Sequence, residues 1–216
     1  MKKGQIVVLS SIVLVMVFVL SSSLFKDRQA KTLDSLARMN AEALIRGHSQ
    51  TMGSAAAKVA LVEFMDPGCE TCRAFDPFIK QMLTAYPGKM KLVIRYAPLH
   101  HGADYMCAVL EAARMQGKYW ETLQVMYDTQ PQWADHHNPK PELIWQHLPS
   151  IGLDVKKLKK DMNDPAIARL IQQDMADARS LNVTKTPEFF VNGKPLVRFG
   201  YEQLQALVEG ELRANY

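Results

Sequence analysis

Val59-Ala60-Leu61-Val62-Glu63-Phe64 is an apolar run of strand type, and Met65-Asp66-Pro67-Gly68 and then Cys69-Glu70-Thr71-Cys72 follow it directly. Asp, Pro and Gly together mark a turn. The residues after the cysteines, Arg73 to Leu83, place Phe75, Phe78, Ile79, Met82 and Leu83 at spacings of three and four, the pattern of a helix with one apolar face. Pro77 lies inside that helix and is expected to kink it. A C-x-x-C pair therefore sits where a strand becomes a helix, and two thiols one helical turn apart can close a small disulfide ring. The first thiol lies at the helix N-terminus, where unpaired N–H groups and the macrodipole favour a thiolate. A sulfur with a lowered pKa is a good nucleophile at neutral pH and a good leaving group in thiol–disulfide exchange.

Tyr86-Pro87-Gly88-Lys89 breaks the chain, and Met90 to Tyr96 reads as a second strand. Strand, helix and strand at this length form a βαβ unit with parallel strands, and open α/β sheets carry their sites at the carboxyl ends of such strands. Glu63 is the odd residue of the first strand. It is either an exposed charge on a polar face or a carboxylate partly buried beneath the thiols. Burial would raise its pKa and let it exchange a proton with Cys72, and its place at the end of a buried parallel strand favours that reading.

The whole chain has 216 residues, 48% apolar content, a formal net charge of +4 and three cysteines. That apolar content supports a real core, so the cysteines are not needed as staples. The charge is mild and no basic run interleaves with aromatics, which argues against nucleic acid as a partner. Lys2 and Lys3 precede an uncharged stretch from Gly4 to Phe25, and Lys26, Asp27 and Arg28 follow. This is the pattern of an export signal or a membrane anchor, with an anchor favoured because no A-x-A site is evident. The positive-inside rule then sends the rest of the chain outward, into an oxidising compartment: the periplasm, or the extracytoplasmic face of the inner membrane, for a Gram-negative source. Lys31 to Ser49 reads as a short helix, a stalk or a helix packed on the domain, with oligomerisation as the sharper alternative.

Toward the C-terminus, Val183 to Val191 reads as a turn leading into a strand, Asn192-Gly193 as a tight hairpin, Lys194 to Phe199 as the return strand, and Tyr201 to Leu212 as a last helix. Thr186-Pro187 is an X–Pro bond for which trans is the default. The C-x-x-C helix with Pro77, Glu63 six residues before Cys69, and Thr186-Pro187 ahead of a hairpin and a last helix together resemble the thioredoxin superfamily. With the long helical segment between the two halves, they resemble its DsbA-like branch of exported thiol:disulfide oxidoreductases. The resemblance runs from about Ala55 to Leu212 and implies a thioredoxin-like α/β fold with a helical insertion. It also implies that Cys69 is the exposed, attacking thiol, Cys72 the resolving one, Glu63 the buried acid, and Thr186-Pro187 a cis-proline substrate loop. Glu70-Thr71 departs from the Pro-His of DsbA and the Gly-Pro of thioredoxin, and a Glu there disfavours the thiolate relative to a His.

The expected layout is a signal or anchor (1–25), a helical stalk or linker (26–54), the first part of the thioredoxin-like domain (55–100), a helical insertion (101–181) and the second part (182–216). Within the insertion, helices are expected over Ala103–Gln116, Lys118–Thr129, Pro141–Leu148, Asp154–Met162 and Pro165–Leu181, with a loop from Gln130-Pro131 to Pro141. Cys107 lies on an apolar helix and reads as a buried structural thiol. His100-His101 and His136-His137 are weak metal signals. No metal and no cofactor beyond the redox-active disulfide is expected. The expected activity is disulfide exchange with cysteine-containing exported proteins, in the oxidase direction, with a membrane redox partner. The alternatives are a reductase or isomerase of the same fold and a non-catalytic metal-binding module on the C-x-x-C pair.

Overall fold

The computed structural model describes residues 3–39, 41–134 and 139–216, with residues 3–11, 30, 33, 34, 36–39 and 41 described by their backbone alone. Two helices open the chain, α1 (Lys3–Met39) and α2 (Ala41–Leu44). A short strand β1 (Gln50–Gly53), strand β2 (Val59–Met65), helix α3 (Glu70–Ala85) and strand β3 (Met90–Tyr96) follow. The insertion holds α4 (Ala103–Arg114), α5 (Tyr119–Trp133), two 3-10 turns (Pro141–Gln146 and Leu148–Ile151) and α6 (Val155–Asp161), and α7 (Pro165–Ser180) leads back to the sheet. Strands β4 (Glu188–Val191) and β5 (Lys194–Pro195) and helix α8 (Tyr201–Asn215) close the chain.

The sheet runs β1-β3-β2-β4-β5. β2 and β3 are parallel, with Leu61 opposite Leu92 and Glu63 opposite Ile94. The other pairings are antiparallel. Both central strands are covered on both faces, which is why they read as continuous apolar runs. Side chains alternate along a strand, so each face takes every second residue. Val59, Leu61 and Met65 of β2 join Phe75, Ile79 and Met82 of α3 and Leu204, Val208 and Leu212 of α8 in one core that continues into the insertion. Val62, Phe64, Val93 and Phe190 face the other way, onto Ala43, Leu44, Ala178 and Leu181. This alternation puts Glu63, two residues from both Leu61 and Met65, on the α3 face.

Each central strand carries one buried charge, and the two point to opposite faces. Arg95 is wholly buried on the α7 side. Its guanidinium donates to Asp174 at 2.7 Å, to Asp177 at 2.6 Å and to the Ala43 carbonyl. Arg46 adds a two-pronged contact to Asp177 at 2.9 and 2.8 Å, and His48 lies 2.7 Å from Asp174. A buried charge persists only when it is paired and hydrogen-bonded, and here it is.

That network explains one departure from the sequence reading. Residues 26–54 were expected to form a stalk or linker, and the stretch up to Ser49 to be helical. Instead α1 is one helix through Met39, because no breaker separates Phe25 from Leu33, and the chain leaves the helical path after Leu44. Arg46 and His48 pin it beside β3, and Gln50–Gly53 add a strand to the sheet, with Gln50 opposite Ile94. Gly53 has φ +102, and a Cβ there would lie 2.8 Å from the Met90 carbonyl oxygen, so the close approach of β1 to β3 requires glycine. Among the described residues no helix is long and apolar enough to cross a membrane. The expected span begins within residues 3–11, whose side chains lie outside the described residues.

Two further boundaries shift. The loop expected from Gln130 begins later, since α5 runs through Pro131 to Trp133. The return strand expected over Lys194–Phe199 is only Lys194–Pro195, with one more bond from the Leu196 amide to the Phe189 carbonyl at 2.9 Å. Phe199 then leaves the sheet to pack against Phe75, 5.0 Å between ring centroids. The Asn192-Gly193 turn has φ of 48 and 87, the all-positive pair of a type I′ hairpin. Asp154 and Asp164 cap α6 and α7 through the amides of Lys157 and Ala166, with Pro165 at the first helical position.

Candidate active site

The turn between β2 and α3 is built around Asp66, which is completely buried. One carboxylate oxygen accepts the Gly68 amide at 2.7 Å. The other accepts the amides of Leu99 and His100 at 2.6 and 2.8 Å and lies 2.8 Å from the His100 ring. Asp66 thus ties the turn after β2 to the turn after β3, at the carboxyl ends of the two parallel strands. Its backbone carbonyl accepts the Cys69 amide at 3.0 Å. Cys69 is then the extended N-cap of α3, and Cys72 lies one turn in.

Cys69, Cys72 and Cys107 are all free thiols. Cys69 is 5% exposed and Cys72 not at all. The nucleophile expected to be exposed therefore offers only a small accessible area, because the cis-proline loop closes over it. The Thr186–Pro187 peptide is cis, and the Cys69 thiol donates to the Thr186 carbonyl at 3.2 Å.

The two sulfurs differ sharply in acidity. Cys69 is lowered from the ordinary 9.0 to about 5. A hydrogen bond from the Cys72 thiol is the largest cause, and the Thr186 side chain and the amides of Cys72 and Thr71 add to it against an opposing effect of burial. Cys72 is pushed well above 9.0, first by burial, then by donating a hydrogen bond to Cys69 and by the nearby Glu63 carboxyl. Glu70 is exposed, and with it beside the sulfur Cys69 is still held low.

Glu63 is 4% exposed, which excludes the solvent-facing alternative. One of its carboxylate oxygens is buried with no hydrogen-bond partner among the described residues. Its pKa is raised from 4.5 to about 8, by burial first and then by the charges of Asp76 and Cys69. Glu63, Cys69, Cys72, Thr186 and Pro187 are thus brought together, while Cys107 is fully buried on α4, in the same continuous core. His100 is engaged with Asp66, and His136-His137 lie outside the described residues. Among the described residues no group of three or more His, Cys, Asp or Glu is arranged to hold a metal ion.

Sequence reasoning missed three residues here. Asp66 had a signal, since an Asp before Pro-Gly commonly bonds its own turn. Tyr127 and Gln130 had none. Tyr127 is buried on α5 with its hydroxyl pKa pushed up by burial and then by Glu63 and Cys72. Gln130, one turn further, donates to the carbonyls of Pro67 and Cys69 at 2.8 and 3.1 Å. Beside it a cleft of about 260 Å³ is lined by Gly68, His100, His101 and Trp133, among others.

A mixed sheet with a helical insertion, an asymmetric thiol pair at a helix N-terminus and a cis-proline opposite define a thioredoxin-like fold with a candidate redox-active thiol pair. The chain belongs to the thioredoxin family, whose model, described as "Thioredoxin", matches residues 46–210. The structure is similar to that of a thioredoxin-like oxidoreductase from Silicibacter pomeroyi DSS-3, with 28% identity and a TM-score of 0.69 over 82% of this chain and 99% of that one. It also shares its fold with the thiol-disulfide exchange protein alpha-DsbA2 from Wolbachia pipientis, at 21% identity and a TM-score of 0.71 over 85% and 97% of the two chains. Among curated proteins the chain is 27% identical over 140 residues to the Na(+)/H(+) antiporter NhaA of Herminiimonas arsenicoxydans, covering 65% of this chain and 22% of that protein. The chain spans about a fifth of the length of the curated relatives it matches.

Proposed function

We propose that this protein exchanges a Cys69–Cys72 disulfide with the cysteines of exported proteins, in the oxidising direction. The observation that carries the reading is the opposed acidity of the two sulfurs, about 5 for Cys69 and well above 9.0 for Cys72. A substrate thiolate attacks the Cys69 sulfur, the Cys69–Cys72 bond breaks, and Cys72 leaves and takes a proton from Glu63. The second substrate thiolate attacks the substrate's own sulfur in the mixed disulfide, and Cys69 leaves as a stable thiolate. The substrate loses two electrons and the protein gains them. Thr186 presents its backbone beside Cys69, where an extended substrate segment would pair.

The low Cys69 value supports the oxidase direction. At neutral pH it stabilises the dithiol form by about two pKa steps, or about 60 mV toward oxidant before solvent screening reduces it. Turnover as an oxidase requires a membrane redox partner that removes the two electrons. The apolar stretch 4–25 behind Lys2 and Lys3 supports export, as a signal peptide or a retained anchor, to the periplasm or the extracytoplasmic membrane face. The likeness to antiporters concerns about a fifth of those proteins, and the proposed activity rests on the thiol pair.

Trapping tests the exchange. Cys72→Ser should accumulate mixed disulfides with disulfide-containing clients: the Cys69 thiolate attacks the client disulfide and expels a client thiolate, no Cys72 thiol completes the exchange, and reductant releases the adduct. Cys69→Ser should form none and should lose insulin reduction and scrambled-substrate refolding. Activity retained in Cys69→Ser would rule out the nucleophile assignment.

A further inference from the structure

Gln130 is a buried polar side chain next to the thiols to which the exchange chemistry assigns no task. It is 1% exposed. Its Nε2 donates to the Pro67 carbonyl at 2.8 Å and to the Cys69 carbonyl at 3.1 Å. Its own Oε1 is buried and has no hydrogen-bond partner among the described residues. A buried amide oxygen without a donor is unfavourable, and a methionine of similar length would fill the same space without that penalty. Space-filling therefore does not account for an amide here, and its two donated bonds do.

Those bonds act on the peptide groups that orient the nucleophile. The Cys69 carbonyl also accepts the Arg73 amide at 3.2 Å, the first hydrogen bond of α3. The Cys69 amide is held by the Asp66 carbonyl. The amides of Thr71 and Cys72, in the same first turn, serve the Cys69 sulfur. Gln130 reaches this turn from the insertion, 61 residues along the chain.

We propose that Gln130 is a positioning residue for Cys69: it holds the carbonyls of Pro67 and Cys69, fixes the first turn of α3, and so lets the helical insertion set the reactivity of the sulfur. The inference rests on the proposed role of Cys69 as the exchanging sulfur. Gln130→Met keeps the length and loses the donors; Gln130→Glu keeps the shape and sets an acceptor against two carbonyls.

The test follows thiolate absorbance against pH and the equilibrium with glutathione, both on the full chain, with thermal melting as the measure of structure. Gln130→Met should move the Cys69 titration upward, slow its alkylation below about pH 5 by about fivefold, the size expected for one hydrogen bond, and shift the glutathione equilibrium toward a more reducing couple. Gln130→Glu should do the same more strongly. A lower melting temperature with the Cys69 titration and the glutathione equilibrium unmoved would mean a structural role alone and would overturn the inference. Should the variants not fold, the Gln130 side-chain amide signals of the wild-type protein decide by NMR: they should move with the Cys69 titration, and signals that stay in place overturn it. A wild-type protein with no acidic thiolate titration would sink the exchange reading, and this inference with it.

Discussion

Replacing Glu63 with glutamine keeps the side-chain volume and removes the ionisation. In the folded protein this carboxyl titrates at about 8, against 4.5 for an ordinary glutamate. Between those values the folded chain keeps a proton that the unfolded chain releases. The stability this represents is fully present below about pH 4.5 and is lost as pH rises toward 8, at about 1.4 kcal/mol per pH unit. At pH 7 the loss spans about two and a half units, or about 3 kcal/mol. Glu63→Gln does not titrate, so the reduced variant should gain about 3 kcal/mol over wild type at neutral pH relative to their difference near pH 4. A buried amide has its own cost, but that cost is the same at every pH, so the slope carries the answer. Cys69 acts in the opposite sense, stabilising the reduced fold as pH rises from about 5 toward 9, and it does so in both proteins. Urea denaturation of the two reduced proteins across this range measures the difference. Parallel stability curves would refute the buried, protonated carboxyl. The same variant should turn over more slowly near neutral pH, and an unchanged pH–rate profile would remove the proposed proton role.

Two further outcomes are expected. In the reduced protein, iodoacetamide should label Cys69 alone, with a rate that titrates at about 5, while Cys72 and Cys107, both fully buried, react only after unfolding; peptide mapping showing label at Cys107 in the folded protein would contradict it. Arg95→Met should cost about 3–5 kcal/mol by removing the buried cation from between Asp174 and Asp177, whose remaining basic partners are His48 and Arg46, and adding Asp174→Asn should recover part of it; a denaturation free energy within about 1 kcal/mol of wild type would show that the network does not stabilise the fold.

The parts of the fold that were legible are those whose signal is local. Val59–Met65 and Met90–Tyr96 are continuous apolar runs because they are buried on both faces, and the structure places strands on both. Asn192-Gly193 announces a hairpin because few other pairs accept two positive φ values. Strand β1 was not legible. Gln50-Thr51-Met52-Gly53 is too short to show a period, and it is held by a ladder to β3 and by side-chain contacts of Arg46 and His48 with residues more than 120 positions away. The same holds at the site. Cys69, Cys72 and Glu63 follow from one contiguous stretch, and Thr186-Pro187 from the family pattern. Gln130 bonds to that stretch, and Tyr127 lies within its electrostatic reach, from a helix whose own sequence reads as ordinary apolar packing. A contact across 61 residues leaves no periodicity to detect.

The contrast between Arg95 and Glu63 bears on how the proton moves. Both are buried ionisable groups on neighbouring central strands, yet Arg95 has two carboxylates and a carbonyl, while an oxygen of Glu63 has no partner among the described residues. The first arrangement holds one charge state permanently. The second leaves the carboxyl easy to protonate and to deprotonate. The charge of Cys69 raises the pKa of both Glu63 and Cys72. When the reduced protein is reoxidised, that charge disappears as Cys69 enters a mixed disulfide with the proposed redox partner, so both neighbours become more acidic at that step. This is the step at which Cys72 must become a thiolate to re-form the Cys69–Cys72 bond. When Cys69 leaves as a thiolate, its charge returns and both groups hold their protons again. The proton affinity of the buried pair thus follows the covalent state of Cys69, with no movement of the backbone required.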